Sequence, residues 1–125
     1  MSVHSYRDLK VWQLSMRLVE EVYVLTGQFP KSEVFGLSSQ LQRAAVSVPS
    51  NIAEGHARDS TKEYLRFISI SQGSLAELET QLYLAQRLNY IAENCLTKIL
   101  EISGEVGRML RGLQKNLKEK LAPSP

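Results

Sequence analysis

A chain of 125 residues, 43% hydrophobic and only 7% aromatic, is long enough for one compact domain that buries roughly two thirds of its unfolded surface without disulfide or metal staples. The formal net charge of +2 is too small to argue for nucleic acid by itself, and no window approaches the ~18 apolar residues of a membrane span. Cys95 is the single cysteine, which forbids an intramolecular disulfide and predicts a small buried thiol in a reducing compartment; the opening residues Met1 to Asp8 lack the apolar stretch of a secretory signal, so the expected location is the cytoplasm.

Ser5, three residues before Asp8, predicts an amino-terminal cap with an acid in the first turn. A first helix over residues 6–26 follows, with Leu9, Trp12, Met16, Val19 and Tyr23 recurring every three or four positions and Gly27 and Pro30 ending it. A second apolar row, Val11, Leu18, Val22 and Leu25, lies beside the first. The apolar arc is therefore wider than one bundle interior requires, and a second buried face against another subunit is expected. The second helix, over 32–57, carries Leu37, Leu41, Ala44, Val48 and Ile52, with a kink near Pro49, which lacks an N–H and crowds the carbonyl of Ala45.

Ser60-Thr61-Lys62-Glu63 is a capping box that opens a third helix over 61–88. Tyr64, Ile68, Leu75, Leu78, Leu82 and Ala85 mark its inner face, and Asn89 suits a left-handed stop. The fourth helix, over 92–120, carries Leu96, Ile99, Val106, Leu110, Leu113, Leu117 and Leu121 before Pro123 and Pro125. With no β-alternation and short connections, the pattern predicts an all-α, up-down-up-down antiparallel four-helix bundle in a single domain, 1–125.

A polar row runs beside the apolar face of the second helix: Gln40, Arg43, Ser47, Asn51 and Glu54. A hairpin centred near Arg58 and Asp59 sets Ser47 by Ile70 and Arg43 by Ser74 and Glu77, which predicts a buried Arg43–Glu77 ion pair whose loss strands a charge. On that reading Arg43→Ala destabilises more than Arg58→Ala. A second hairpin centred near Tyr90 and Ile91 places Gly107 opposite Gly73 and Ser74. The interior glycines Gly73, Gly104 and Gly107 are expected to mark close helix contacts, since each otherwise costs about 1 kcal/mol relative to alanine.

Catalytic and cofactor signatures are missing from the sequence. His4 and His56 have no second histidine or cysteine at metal-ligand spacing, and no glycine-rich phosphate loop occurs. Glu54, Glu63, Glu77 and Glu79 lack the glutamate-x-x-histidine pairs of carboxylate-bridged bundle metal sites. The expectation is a non-enzyme with no catalytic residue, metal or cofactor. Charge distribution is more informative: Arg108 to Lys120 holds five basic residues and one acid. Arg108, Arg111, Lys115 and Lys118 fall three, four and three apart, one stripe beside the leucine seam and a candidate contact for RNA or DNA phosphates.

The chain resembles the four-helix-bundle family of the 23S rRNA intervening-sequence proteins. The resemblance rests on Tyr6 to Gln13 (YRDLKVWQ), Phe29-Pro30, Gly36-Leu37, Gln40 to Gly55 (QLQRAAVSVPSNIAEG), Glu63 to Phe67 (EYLRF) and Gly73-Ser74 followed by Ala76 to Glu79. Where that pattern has alanine before the Gly-Ser pair, this chain has Ser71 and Gln72. The resemblance implies a bundle that assembles into a ring-like homopentamer, in a family whose molecular function is not established. A related branch, the accessory variability proteins of diversity-generating retroelements, is similar in fold and implicated in binding nucleic acid and a reverse transcriptase. In a pentamer the basic stripe is repeated five times. The expected partners are further copies of the chain and RNA or DNA, with no membrane; the competing expectation is a scaffold that recognises an unidentified protein through the second helix around Pro49 to Glu54.

Overall fold

Each of the four helices turns one apolar row inward in the computed structural model, which describes residues 5–121. Helices α1 (Lys10–Thr26), α2 (Leu37–His56), α3 (Thr61–Arg87) and α4 (Glu93–Leu121) pack each against the next, and α1 closes against α4. Cross-helix contacts run in opposite residue order, as in Ser47 with Ser74 and Val48 with Ser71, so neighbours are antiparallel. The result is an all-α four-helix bundle with no strand among the described residues. His4, Pro123 and Pro125 lie outside those residues.

Leu18, Leu41, Ile52, Ile68, Leu78, Leu82 and Leu110 are wholly buried, each contributing about 1.5–3 kcal/mol relative to an exposed side chain. Between them sit three serines, Ser15, Ser71 and Ser103, also wholly buried. Each occupies an inner position of the helical repeat and directs its hydroxyl to a nearby acceptor: Ser15 to the Trp12 carbonyl at 2.9 Å, Ser71 to the Val48 carbonyl at 2.8 Å, and Ser103 to Glu79 Oε2 at 2.7 Å.

On α1 the two apolar rows take the opposite roles from those their order in the sequence suggests. Val11, Leu18 and Val22 face the core, whereas Leu9, Trp12 and Val19 are half-buried and Met16 and Tyr23 exposed. Apolar excess therefore does lie outside the interior, on the Trp12–Tyr23 side. Cys95, expected inside, is exposed.

Two helix starts are later than their periodicity implies. Ser5 accepts the Arg7 N–H at 3.1 Å and caps a 3-10 turn, Tyr6–Asp8, after which Leu9 is extended and α1 begins without a side-chain cap. Residues Lys31–Glu33 form another 3-10 turn, and α2 begins only at Leu37. Its cap comes from Glu33, whose Oε1 accepts the Leu37 N–H at 3.0 Å while Oε2 accepts the Tyr90 hydroxyl at 2.8 Å. These bonds, the Leu37 amide first, hold the Glu33 carboxyl below its ordinary range, and the same contact pushes the Tyr90 phenol up. α2 then continues through Pro49, which is buried. At α3 the box is half made: Ser60 Oγ accepts the Glu63 N–H at 3.2 Å, but the Glu63 carboxylate turns to Arg66 at 3.5 Å. α3 ends as expected on Asn89 in the left-handed region, φ 66°.

The interior glycines divide. A Cβ on Gly107 would meet Leu75 Cδ2 at 3.3 Å, within two residues of the expected partner. Gly73 has nothing within 4 Å and Gly104 only the mobile end of Arg108 at 3.6 Å, so neither marks a close helix contact. The tight site is Gly55, where a Cβ would lie 2.8 Å from Phe67 Cβ and 2.9 Å from Tyr64 Cδ1.

Two outcomes follow for folding equilibria measured by chemical denaturation. Gly55→Ala is expected to cost about 1–3 kcal/mol through overpacking, whereas Gly73→Ala, open and helical, is expected to gain about 0.5–1 kcal/mol. Glu33 has a lowered folded pKa, so its contribution is complete above the ordinary carboxylate value of about 4.3 and is lost as pH falls through the depressed one. Glu33→Gln should accordingly be less stable than the parent at neutral pH, with the gap closing as pH is lowered below about 4; a constant gap would assign the loss to shape rather than charge.

Candidate nucleic-acid interface

α4 carries its charges on the side turned away from the core. Arg108, Arg111, Lys115 and Lys118 are all exposed, while Val106, Leu110 and Leu117 on the same helix are buried. Basic residues toward the end of the helix also meet the negative end of its dipole. Arg108 is paired on its own helix, its Nη2 2.6 Å and its Nε 3.1 Å from Glu105 Oε2. Arg111, Lys115 and Lys118 make no ion pair among the described residues, where the other bridge is Arg66–Glu63.

α3 supplies the other side of this edge. Gln114 Nε2 donates to Ser69 Oγ at 3.1 Å, and Ser103 is held to Glu79, which together set the α3–α4 register. That register carries Arg66 and then Lys62 past the Lys118 turn. Arg66 is half committed to Glu63 and lies 5.7 Å from the centre of the Phe67 ring, whereas Lys62 is exposed and unpaired among the described residues. The sequence stripe omitted these two because they are distant in the chain; the signal was present in the hairpin pairing, which brings the start of α3 to the end of α4.

The polar row of α2 behaves differently from the buried ion pair expected of it. Ser47 Oγ lies 2.7 Å from Ser74 Oγ, and Asn51 Nδ2 donates to Ser47 Oγ at 2.9 Å and to the Ser47 carbonyl at 2.8 Å. Ser47 thus meets Ser74 rather than Ile70, one helical turn further along α3. The shift follows from the hairpin centre, which lies beside Ser60 because the last turn of α2 presses Gly55 against Tyr64 and Phe67. It carries Arg43 opposite buried Leu78, so the guanidinium stays in solvent; Gln40, Arg43, Glu54 and Glu77 are all exposed and no Arg43–Glu77 bridge forms. Glu77 instead accepts Gln81 Nε2 at 3.3 Å, leaving the buried Gln81 Oε1 without a donor.

His56 stands edge-on to Tyr64, ring centres 5.8 Å apart, and burial pushes the Tyr64 phenol up. Among the described residues no three His, Cys, Asp or Glu side chains come together as a metal site. Among the described residues no helix is long and apolar enough to cross a membrane.

Four antiparallel amphipathic helices with exposed cations along one helix edge define a four-helix-bundle protein whose surface chemistry lies on helix edges. The chain belongs to the 23S rRNA-intervening sequence protein family, whose sequence profile matches residues 7–112. Lys115 and Lys118 fall beyond the matched span. The chain is also similar to a protein of unknown function from the S23 ribosomal protein family of Bacteroides thetaiotaomicron, at 24% identity and a TM-score of 0.79, covering 84% of this chain and 98% of that one; the likeness is one of fold. No curated protein matches the chain.

The structure reverses the expected ranking of two arginine variants. Arg58 lies 4.8 Å from the centre of the Phe67 ring, while Arg43 has no comparable contact. Arg58→Ala is expected to cost about 0.5–1 kcal/mol and Arg43→Ala close to nothing, read from denaturant midpoints. A larger loss at Arg43 would restore a buried role for that guanidinium.

Proposed function

We propose that the protein is a non-enzymatic, homo-oligomeric, cytoplasmic bundle that holds the phosphate backbone of RNA or DNA along the α3–α4 edge. The observation that carries this reading is the set Arg111, Lys115 and Lys118, exposed on one side of α4 and without acidic partners among the described residues. Arg108 joins them, since an exposed pair such as Arg108–Glu105 is worth at most about 1 kcal/mol and yields readily to a phosphate. Lys62 lengthens the track on α3. Lysine and arginine at helical spacing match a repeating backbone charge without reading bases, so affinity for many sequences, strong salt dependence and little sequence preference are the expected signature.

Self-assembly is the second part of the proposal. Met16 and Tyr23 leave apolar surface on α1 that the bundle does not use, and the resemblance to the intervening-sequence proteins supports a ring of five. A scaffold that recognises a protein through α2 has one observation in its favour, an apolar groove at Pro49 and Ala53. The two readings separate through charge, because reversing cations on α4 leaves that groove intact.

The test is a titration of labelled structured RNA and duplex DNA at 50 and 200 mM salt. Three phosphate contacts per chain predict about a 40-fold loss of affinity across that interval on duplex, and more if several chains engage. The double variant Arg111→Glu/Lys115→Glu should lose binding while keeping its helical content and melting temperature. Absence of binding at 50 mM salt, or binding unaffected by the double variant, would overturn the nucleic-acid reading.

A further inference from the structure

Phe35 is the most anomalous side chain of the molecule. It is 98% exposed, far beyond the other large apolar residues, and forgoes about 1.5–3 kcal/mol that burial would contribute. It is also held firmly. The turn that presents it is closed by the Glu33 N–H to Pro30 O, Val34 N–H to Lys31 O and Gly36 N–H to Glu33 O bonds, and Glu33 is pinned by Leu37 and Tyr90. A phenyl ring displayed on a hydrogen-bonded turn, with almost none of its surface covered by its own chain, is a preformed knob.

The same chain carries a fitting hole. Tyr6, Trp12, Met16, Val46, Pro49 and Ala53 line a groove of about 350 Å³ between α1 and α2. Phe35 cannot reach it in its own chain. It precedes Leu37 at the start of α2, and Val46 alone is nine residues, about 14 Å of helix, further on.

We infer that Phe35 of one copy seats in the α1–α2 groove of a second copy, a head-to-tail contact. The inference rests on the self-assembly part of the reading above and supplies its interface. The area argues for a second copy. Phe35 offers about 150–250 Å². Val34, Leu84 and Leu88, each about half exposed, extend the patch, because the register that joins Ser47 to Ser74 puts the start of α2 beside Leu84. On the receiving side Met16, Tyr23 and Val46 are exposed. Each face thus offers a substantial share of the ~800 Å² per partner that a stable interface uses, and one contact would cover both.

Charge is no obstacle to this pairing: beside the knob stand Lys31, Arg87 and the carboxylate of Glu33, and the groove is flanked by Glu20 on α1, Glu54 on α2 and two bases, Arg43 and Arg7, the latter 5.0 Å from the centre of the Tyr6 ring. Knob and hole occupy different faces of the chain, which generates a head-to-tail series that closes into a ring when its rotation allows.

The contact is tested by light-scattering mass of the full chain and of Phe35→Asp, Val46→Asp and Met16→Asp, each with circular dichroism and melting temperature as folding controls. The wild type is expected above dimer mass, and the folded variants at monomer mass. Because Phe35 and Val46 variants spoil opposite halves of the contact, mixing the two should restore one intact junction and give a heterodimer. If the wild type is monomeric at every concentration, the self-assembly reading itself fails. If the wild type assembles while folded Phe35→Asp keeps its full mass, or the mixture stays monomeric, self-assembly stands and the knob-in-groove contact is overturned.

Discussion

The close approach of α2 and α3 at Gly55 is the constraint from which the rest of the bundle follows. With no Cβ at that position, the last turn of α2 lies directly against Tyr64 and Phe67, and the chain must turn back within residues 57–60. The register so fixed brings Ser71 to the Val48 carbonyl, just before buried Pro49, and Ser47 to Ser74. α3 is then positioned to receive α4, with Leu75 against Gly107 and Glu79 accepting Ser103. A larger residue at 55 would disturb more than its own neighbours, because the same register decides which α3 cations stand beside which α4 cations.

The fate of the polar row shows how the chain treats charge near this packed seam. Neutral hydroxyl and amide groups, Ser47, Asn51 and Ser74, occupy the half-buried middle and satisfy one another. The ionised groups, Arg43, Glu54 and Glu77, stay outside. Removing a guanidinium and a carboxylate from water costs several kcal/mol per ion, which their attraction need not repay. Short neutral hydrogen bonds achieve the same specificity of register at less desolvation. Ser71 belongs to the same set of small polar groups: it is wholly buried and adds a hydrogen bond across the seam.

Inner faces were legible in the sequence wherever one apolar row stood alone, as on α2, α3 and α4, since a 3.6-residue period allows one such face. α1 has two apolar rows, and periodicity cannot choose between them. Ser15 was the overlooked clue, a small residue completing the Val11, Leu18, Val22 row at its proper spacing. Helix starts were misread where the cap was unusual: Glu33 reaches Leu37 from four residues upstream, and a 3-10 turn separates Ser5 from α1. The α2–α3 register was misplaced by one turn because two residues at a hairpin centre become four across the pair. That slip was enough to turn two exposed residues, Arg43 and Glu77, into an expected ion pair. The α4 stripe was legible because all its members share one helix, whereas Lys62 and Arg66 enter only through tertiary pairing.

The two proposed surfaces occupy separate parts of the bundle. α2 packs on α1 and α3 and stands diagonal to α4, so a contact made by Phe35 and the α1–α2 groove leaves the outer side of α4 uncovered. Assembly through that contact would repeat Arg111, Lys115 and Lys118 once per copy, and like charges brought together in this way oppose assembly until counterions or a polyanion neutralise them. Phosphate binding and self-association are then thermodynamically coupled: a strand that bridges several copies favours the assembled form, and the assembled form binds that strand more tightly by the same factor. The apolar knob and the basic edge, far apart in one chain, would act on one equilibrium.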